Sequence, residues 1–189
     1  NYIILPLGIS FFTFTQIAFL VDAYNSNIKE YNFVHYGMFV TFFPHLLAGP
    51  IYHHREMMPQ FAETAIYKFS SKDLAVGLTI FFIGMFKKVC IADSMALYAD
   101  PFFMAATKGG PLDFFDSWLG ATSYSLQLYF DFSGYTDMAI GLSRCIGIKL
   151  PINFDSPYKA TNIIEFWQRW HITLSRFFRD YLYIPLGGN

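Results

Sequence analysis

Apolar runs broken by short polar connections organise the chain. Residues 1–21 carry no Asp, Glu, Lys or Arg and are long enough to cross roughly 30 Å of hydrocarbon. Pro6 falls inside this run and predicts a kink near one end. Asp22 to Glu30 reads as a short polar connection. Phe33 to Tyr52 is a second uncharged span candidate; it contains His35 and His45 and closes on the breaker Ala48-Gly49-Pro50. His53 to Asp73 is the longest polar stretch and predicts a solvated or interfacial loop. Leu74 to Phe86 is apolar but short, meets Lys87-Lys88 and continues as Val89 to Ala92. That pattern suits a re-entrant or half-spanning helix, with lysines snorkelling at a span terminus as the alternative. Asp93 to Asp116 is mixed, with a loop at Gly109-Gly110-Pro111. Ser117 to Phe130 opens a fourth span and runs into Asp131 and Asp137, with Met138 to Leu142 apolar beyond. Lys149 to Asn162 is a polar loop with Pro151 and Pro157. Ile163 to Ile184 reads as one amphipathic helix. The pattern predicts an all-α polytopic membrane protein with a re-entrant or interfacial helix.

Composition agrees. Of 189 residues, 54% are hydrophobic and 14% charged, against about 25% charged in soluble domains. Aromatic residues make up 21%. Thirteen Lys and Arg against fourteen Asp and Glu leave no basic excess for nucleic acid. Residues 1–21 have no basic n-region and no small-residue cleavage site, so they do not read as a secretory signal. We read residues 1–189 as an incomplete fragment of a single membrane domain. Cys90 and Cys145 form no pair and no CxxC motif. The basic residues of 52–73 place that loop in the cytoplasm by the positive-inside rule. Lys87-Lys88 then conflicts with a full crossing, and a re-entrant segment removes the conflict.

Two stretches hold candidate chemistry. In the last segment, Asn162 with Glu165 three residues later is a capping-box-like start. On one continuous helix, Trp167, His171, Leu174 and Phe178 would share a face. Glu165–Arg169 and Arg176–Asp180 could pair at i, i+4. His171 would then be one imidazole on an aromatic face, either bonded to a carbonyl or available for chemistry. The second stretch carries Asp131, Tyr135 and Asp137. Ionisable groups at that depth normally face a cavity or a partner, here a helix break at Ser133-Gly134 or Arg144, Arg169 or Arg179. The spacing of the two aspartates does not make an acid/base dyad. The five histidines form no HxxxH or HExxH pattern, so no metal set is read from them, and no GxSxG or Walker loop appears.

Several runs resemble the membrane-bound O-acyltransferase family. They are Leu5-Pro6-Leu7-Gly8-Ile9-Ser10-Phe11-Phe12-Thr13-Phe14, Phe43-Pro44-His45-Leu46-Leu47-Ala48-Gly49-Pro50-Ile51, the run from Leu128 to Gly141, Asn153-Phe154-Asp155-Ser156-Pro157-Tyr158, and the runs Phe166 to Ser175 and Phe178 to Asn189. The likeness is greatest to its bacterial branch with alginate O-acetyltransferase and the D-alanine-transferring teichoic-acid protein. It implies a ring of tilted helices around a tunnel, of which this chain would form part, in a multi-pass protein of the bacterial inner membrane. It implies transfer of an acyl group, by likeness acetyl, from a cytoplasmic thioester to hydroxyls of an extracytoplasmic polysaccharide. The donor would be an acyl carrier protein or acyl-CoA as co-substrate, with no bound cofactor or metal. The acceptor side would be the polysaccharide or an acyl-relay partner protein, within membrane lipid. The family's invariant histidine, in a Trp-His-Gly motif, has no match here and is expected beyond Asn189, leaving this stretch inactive alone. His171 matches the family's other recurrent histidine and is the catalytic candidate. Trp167, Arg169, Arg179 and Asp180 are the tunnel candidates, supported by Asp131, Tyr135 and Asp137. A transport or export component, and a lipid- or protein-acylating relative of the same family, are the competing readings.

Overall fold

The computed structural model describes residues 8–25, 32–45 and 49–188. Every regular element among them is helical. Helices α1 (Ile9–Tyr24), α2 (Phe33–Val40) and α3 (His54–Ala62) are followed by a long helix α4 (Ser71–Thr107). Helix α5 (Phe114–Cys145) runs back beside it, and two short helices close the chain, α6 (Ile163–Arg169) and α7 (Ile172–Phe178). Pro6, most of the 22–30 connection, Ala48 and Asn189 lie outside the described residues.

The hairpin of α4 and α5 dominates. Helix α4 has 37 residues, about 55 Å at 1.5 Å per residue, more than a bilayer's hydrocarbon thickness. The short apolar segment expected over 74–92 is part of one continuous helix, and residues 68 and 108 lie beyond its opposite ends. The mixed stretch 93–116 is also helical as far as Thr107, and the connecting loop is confined to 108–113. The helix continues through Lys87-Lys88 as a π-helical segment, Lys87–Ala92. This local widening is a common device at functional or packing irregularities.

Glycines set the hairpin's separation. Gly77 and Gly84 lie on α4, and Gly134 and Gly141 on α5, each pair seven residues apart. A Cβ on Gly84 would sit 2.6 Å from Gly134 O, and one on Gly141 would sit 2.6 Å from Gly77 O. Backbone therefore lies against backbone, as small residues permit between membrane helices. This is why Ser133-Gly134 does not break the helix, contrary to the sequence expectation. Gly134 is a contact surface, and the ladder through it is continuous.

Asp131 and Asp137 of α5 are paired across this interface. Lys87 Nζ lies 2.6 Å from Asp137 Oδ2; Lys88 Nζ lies 2.7 Å from Asp131 Oδ1 and 2.5 Å from Asp93 Oδ1. The expected arginine partners are not used: Arg144 pairs with Asp73 at 2.6 Å. The lysines are nearer because the antiparallel register brings the middle of α4 against the middle of α5. Removing one partner of such a pair leaves an uncompensated charge, whereas replacing both by apolar groups is close to neutral. Lys87→Met alone is expected to lower the thermal midpoint of the protein in detergent. Lys87→Met with Asp137→Leu should recover most of the loss, read by the same melting curve.

The remaining core surrounds α3. The stretch 53–73 is not a solvated loop: it forms α3 and a 3₁₀ turn at Thr64–Tyr67. His54, Met57, Met58 and Phe61 recur at helical spacing and are buried. Met57, Met58 and Phe61 pack with Phe39, Phe42, Tyr52, Ile148 and Leu150. Two polar residues of α3 are engaged by other elements. Glu56 takes a bidentate pair from Arg176 at 2.7 and 3.0 Å, and the Gln60 amide bonds both Lys149 N and Lys149 O. The second span candidate, 33–52, also differs. Helix α2 ends at Val40, and Phe43–His45 is a single 3₁₀ turn, consistent with Pro44 disfavouring a continued helix. Helix α1 runs past Val21 and carries Asp22 into the interior, 5% exposed.

Candidate functional site

Asn162 caps α6 as its sequence predicts: its side-chain oxygen accepts from Glu165 N at 2.8 Å. Glu165 reaches back one residue further than a capping box requires, to Thr161 N and Oγ1, and also holds Arg169. The helix then stops. Trp170 is extended, and His171 takes the left-handed backbone conformation at φ 44° before α7 begins. The expected single helix from 163 to 184 is therefore two helices with a corner, and the shared face of Trp167, His171, Leu174 and Phe178 does not exist. A non-glycine residue in this conformation is strained and persists only when its surroundings hold it. The loop after α5 does so: Asp155 N donates to Arg169 O and Ile172 N to Asn153 O, both at 2.9 Å.

The corner drives His171 inward, to 8% exposure. Three phenylalanines surround the imidazole: Phe132 of α5 edge-on at 4.8 Å between centroids, Phe154 at 6.2 Å and Phe11 of α1 at 6.4 Å. His171 Nδ1 lies 3.1 Å from Asn153 Oδ1. That oxygen also accepts from Thr173 N at 3.2 Å and Thr173 Oγ1 at 2.8 Å, and Thr173 Oγ1 in turn accepts from Ile51 N at 3.0 Å. Four separate stretches of chain thus meet at one ring. Burial pushes the His171 imidazole down to about 4 from its ordinary value near 6.5, so it is neutral at pH 7. Nδ1 is its bonded nitrogen, and among the described residues Nε2 has no hydrogen-bond partner.

The other sequence candidates are dispersed. Trp167 is half exposed and packs edge-on against Phe166. Arg169 holds Glu165 and the Asp155 carbonyl oxygen. Arg179 pairs with Asp180 at 2.7 Å, so the expected Arg176–Asp180 bridge is replaced by Arg176–Glu56; Arg176 faces α3 and Asp180 does not. Tyr135 is half buried on α5, and Asp131 and Asp137 are the lysine-paired groups of the hairpin. Nearer the ring, sequence reasoning missed Asn153, Thr173, Phe132, Phe154 and Phe11.

A second polar cluster was also missed. Tyr181 Oη donates to Asp22 Oδ2 at 3.0 Å and lies 3.1 Å from His53 Nδ1. Arg55 reaches the same Asp22 oxygen at 3.1 Å. Because the phenol gives its proton to Asp22, it can only accept from His53. These groups line a cavity of about 270 Å³ with Asn25 and Asp180. Desolvation pushes the imidazoles of His53 and His54 down and the Tyr181 phenol up.

Among the described residues every regular element is helical, and one helix is long and apolar enough to cross a membrane. The chain belongs to the membrane-bound O-acyltransferase family, whose model matches residues 5–189, and it is accordingly a membrane protein. It is 52% identical to a peptidoglycan O-acetyltransferase of Helicobacter pylori over 100% of this chain and 40% of that protein. It is 47% identical to a probable alginate O-acetylase AlgI of Azotobacter vinelandii over 100% of this chain and 37% of that protein. It is 35% identical to a teichoic acid D-alanyltransferase of Bacillus subtilis over 94% of this chain and 45% of that protein. The chain thus spans about two-fifths of the length of the curated relatives it matches.

Proposed function

We propose that the full-length protein is an O-acyltransferase of the bacterial inner membrane, crossing it several times. It moves an acyl group, acetyl by the relatives' names, from a cytoplasmic thioester on a carrier protein or coenzyme A. The acceptor is a hydroxyl of an extracytoplasmic polysaccharide, reached directly or through an acyl-relay partner protein. The observation that carries this reading is His171: buried, enclosed by three phenylalanines, bonded at Nδ1 and, among the described residues, without a hydrogen-bond partner at Nε2. Relatives named for peptidoglycan, alginate and teichoic acid support a polymer as the acceptor.

In this reading the described helices form part of a ring around a tunnel, and His171 faces the path of the acyl group. The acceptor oxygen attacks the thioester carbonyl carbon, the O–H bond breaks and its proton passes to a basic nitrogen. The C–S bond then breaks and the thiolate leaves, taking a proton. His171 positions the hydroxyl or assists that proton transfer, beside the further histidine of a Trp-His-Gly motif that the family resemblance places beyond Asn189. Lys87, Lys88, Asp131 and Asp137 hold the hairpin that carries Phe132 to the ring.

The test is the ester-linked acyl content of purified cell-surface polysaccharide from the protein's own host, with and without the full-length gene. Loss on deletion and return on complementation is expected. Unchanged ester content would overturn the reading in favour of another acceptor or of transport.

A further inference from the structure

We propose that Asn153 is a positioning residue for His171: its side-chain oxygen holds the imidazole as the Nδ1–H tautomer and so keeps the lone pair on Nε2. The inference rests on the functional reading of His171 above for its consequence, but not for the tautomer itself.

The assignment follows from counting donors. An asparagine amide can be turned either way, and its partners decide which atom is oxygen. Thr173 N–H is a donor and nothing else, and it points at Asn153 Oδ1 from 3.2 Å. That atom must therefore be the oxygen. Thr173 Oγ1, 2.8 Å from the same oxygen, donates its only proton there and is left as acceptor to Ile51 N–H. An amide oxygen has no proton to give, so at the third contact, 3.1 Å, His171 Nδ1 is the donor. A neutral ring with its proton on Nδ1 has its lone pair on Nε2. Asn153 is 0% exposed and Thr173 2%, so water does not compete for these positions.

A second observation explains why the residue is an amide. Asn153 Nδ2 is buried and has no hydrogen-bond partner among the described residues, so a carboxylate could replace the amide without losing a hydrogen bond to them. All three neighbours would still donate to it. What would change is charge: a carboxylate at Nδ1 favours the imidazolium, whereas a neutral oxygen fixes the same tautomer and leaves the ring uncharged. The groups packed against the ring from α1, α5 and the loop are Phe11, Phe132 and Phe154. No charged side chain among the described residues acts on it.

The experiment uses the full-length protein in lipid with ¹⁵N-labelled histidine. The His171 resonances are assigned by difference from His171→Asn, and acyl transfer is followed against pH. Wild type should show one tautomer, protonated at Nδ1. Asn153→Leu should lose that preference and fall roughly tenfold or more in kcat/KM. Asn153→Asp should keep the Nδ1–H tautomer and move the acid limb of the pH profile upward by about one unit or more. An Nε2–H ring in wild type, or a ring indifferent to both substitutions, overturns the assignment, and the wild-type spectrum decides even if Asn153→Leu does not fold. Failure of the functional reading looks different: the spectra follow Asn153 as expected, while His171→Asn transfers at the wild-type rate.

Discussion

Leucine at Gly84 is expected to destroy the α4–α5 hairpin. A Cβ at this position meets Gly134 O at 2.6 Å, Met138 N at 2.7 Å and the Asp137 Cβ at 2.9 Å. Two of these are backbone atoms of a continuous helix, so no rotamer change makes room. Ordinary overpacking costs about 1–3 kcal/mol; separating two helix backbones also pulls Lys87 from Asp137 and Lys88 from Asp131, and the total should exceed that range. Gly141→Leu should act alike, because its Cβ would meet Gly77 O and Phe81 N, both at 2.6 Å. Leucine at Gly109 is the control for the loop: its φ of 71° costs backbone strain, but nothing lies within 4 Å of its Cβ. The readout is the yield of monodisperse protein in detergent and its melting temperature. A Gly84→Leu variant that melts with wild type would show that the hairpin is not held at this spacing.

Asparagine at His171 should abolish transfer while leaving the corner between α6 and α7 intact. Asparagine enters the left-handed region more readily than most residues, so the backbone at φ 44° is kept and only the imidazole is lost. A fall of about 10²–10⁴ in kcat/KM is expected for losing a proton-handling group, with the melting temperature near wild type at pH 7.5. The same variant tests the ring's environment through pH. The folded imidazole titrates at about 4 and the unfolded one near 6.5, so between these values the unfolded chain binds the extra proton. The stability that depends on a neutral ring is therefore complete above pH 6.5 and is lost as pH falls toward 4. Wild type should melt progressively lower from pH 7 to pH 5, and His171→Asn should show a shallower decline. Parallel declines would place the ring in contact with water.

The aspartates show where a sequence argument reaches its limit. Asp131 and Asp137 were visible as charges embedded in apolar sequence, and the expectation that each needs a partner holds. Their partners could not be read, because pairing depends on the register between α4 and α5. That register is set by glycine backbones in contact, and the seven-residue spacing of Gly77, Gly84, Gly134 and Gly141 was the available signal for it. The lysines pointed elsewhere: a charge pair late in an apolar run resembles a helix end. It becomes the middle of a helix only once carboxylates on the facing helix neutralise it.

The sequence by itself determined the helical class, the membrane character, the Asn162 cap, the Glu165–Arg169 pair, the loop at Gly109-Gly110-Pro111 and the family to which the chain belongs. These follow from local periodicity, local capping chemistry and residue order, all of which are properties of neighbours along the chain. Only the tertiary structure decided the corner at His171. Periodicity from 163 to 184 continues through residues 170 and 171, and nothing local forbids a helix there. The corner forms because Asn153, eighteen residues earlier, bonds Ile172 N through its backbone and Thr173 through its side chain. Phe11, Phe132 and Phe154 then take the imidazole in place of a helix face. Contacts between residues so far apart in sequence leave no periodic trace, and they make one histidine of five into the candidate site.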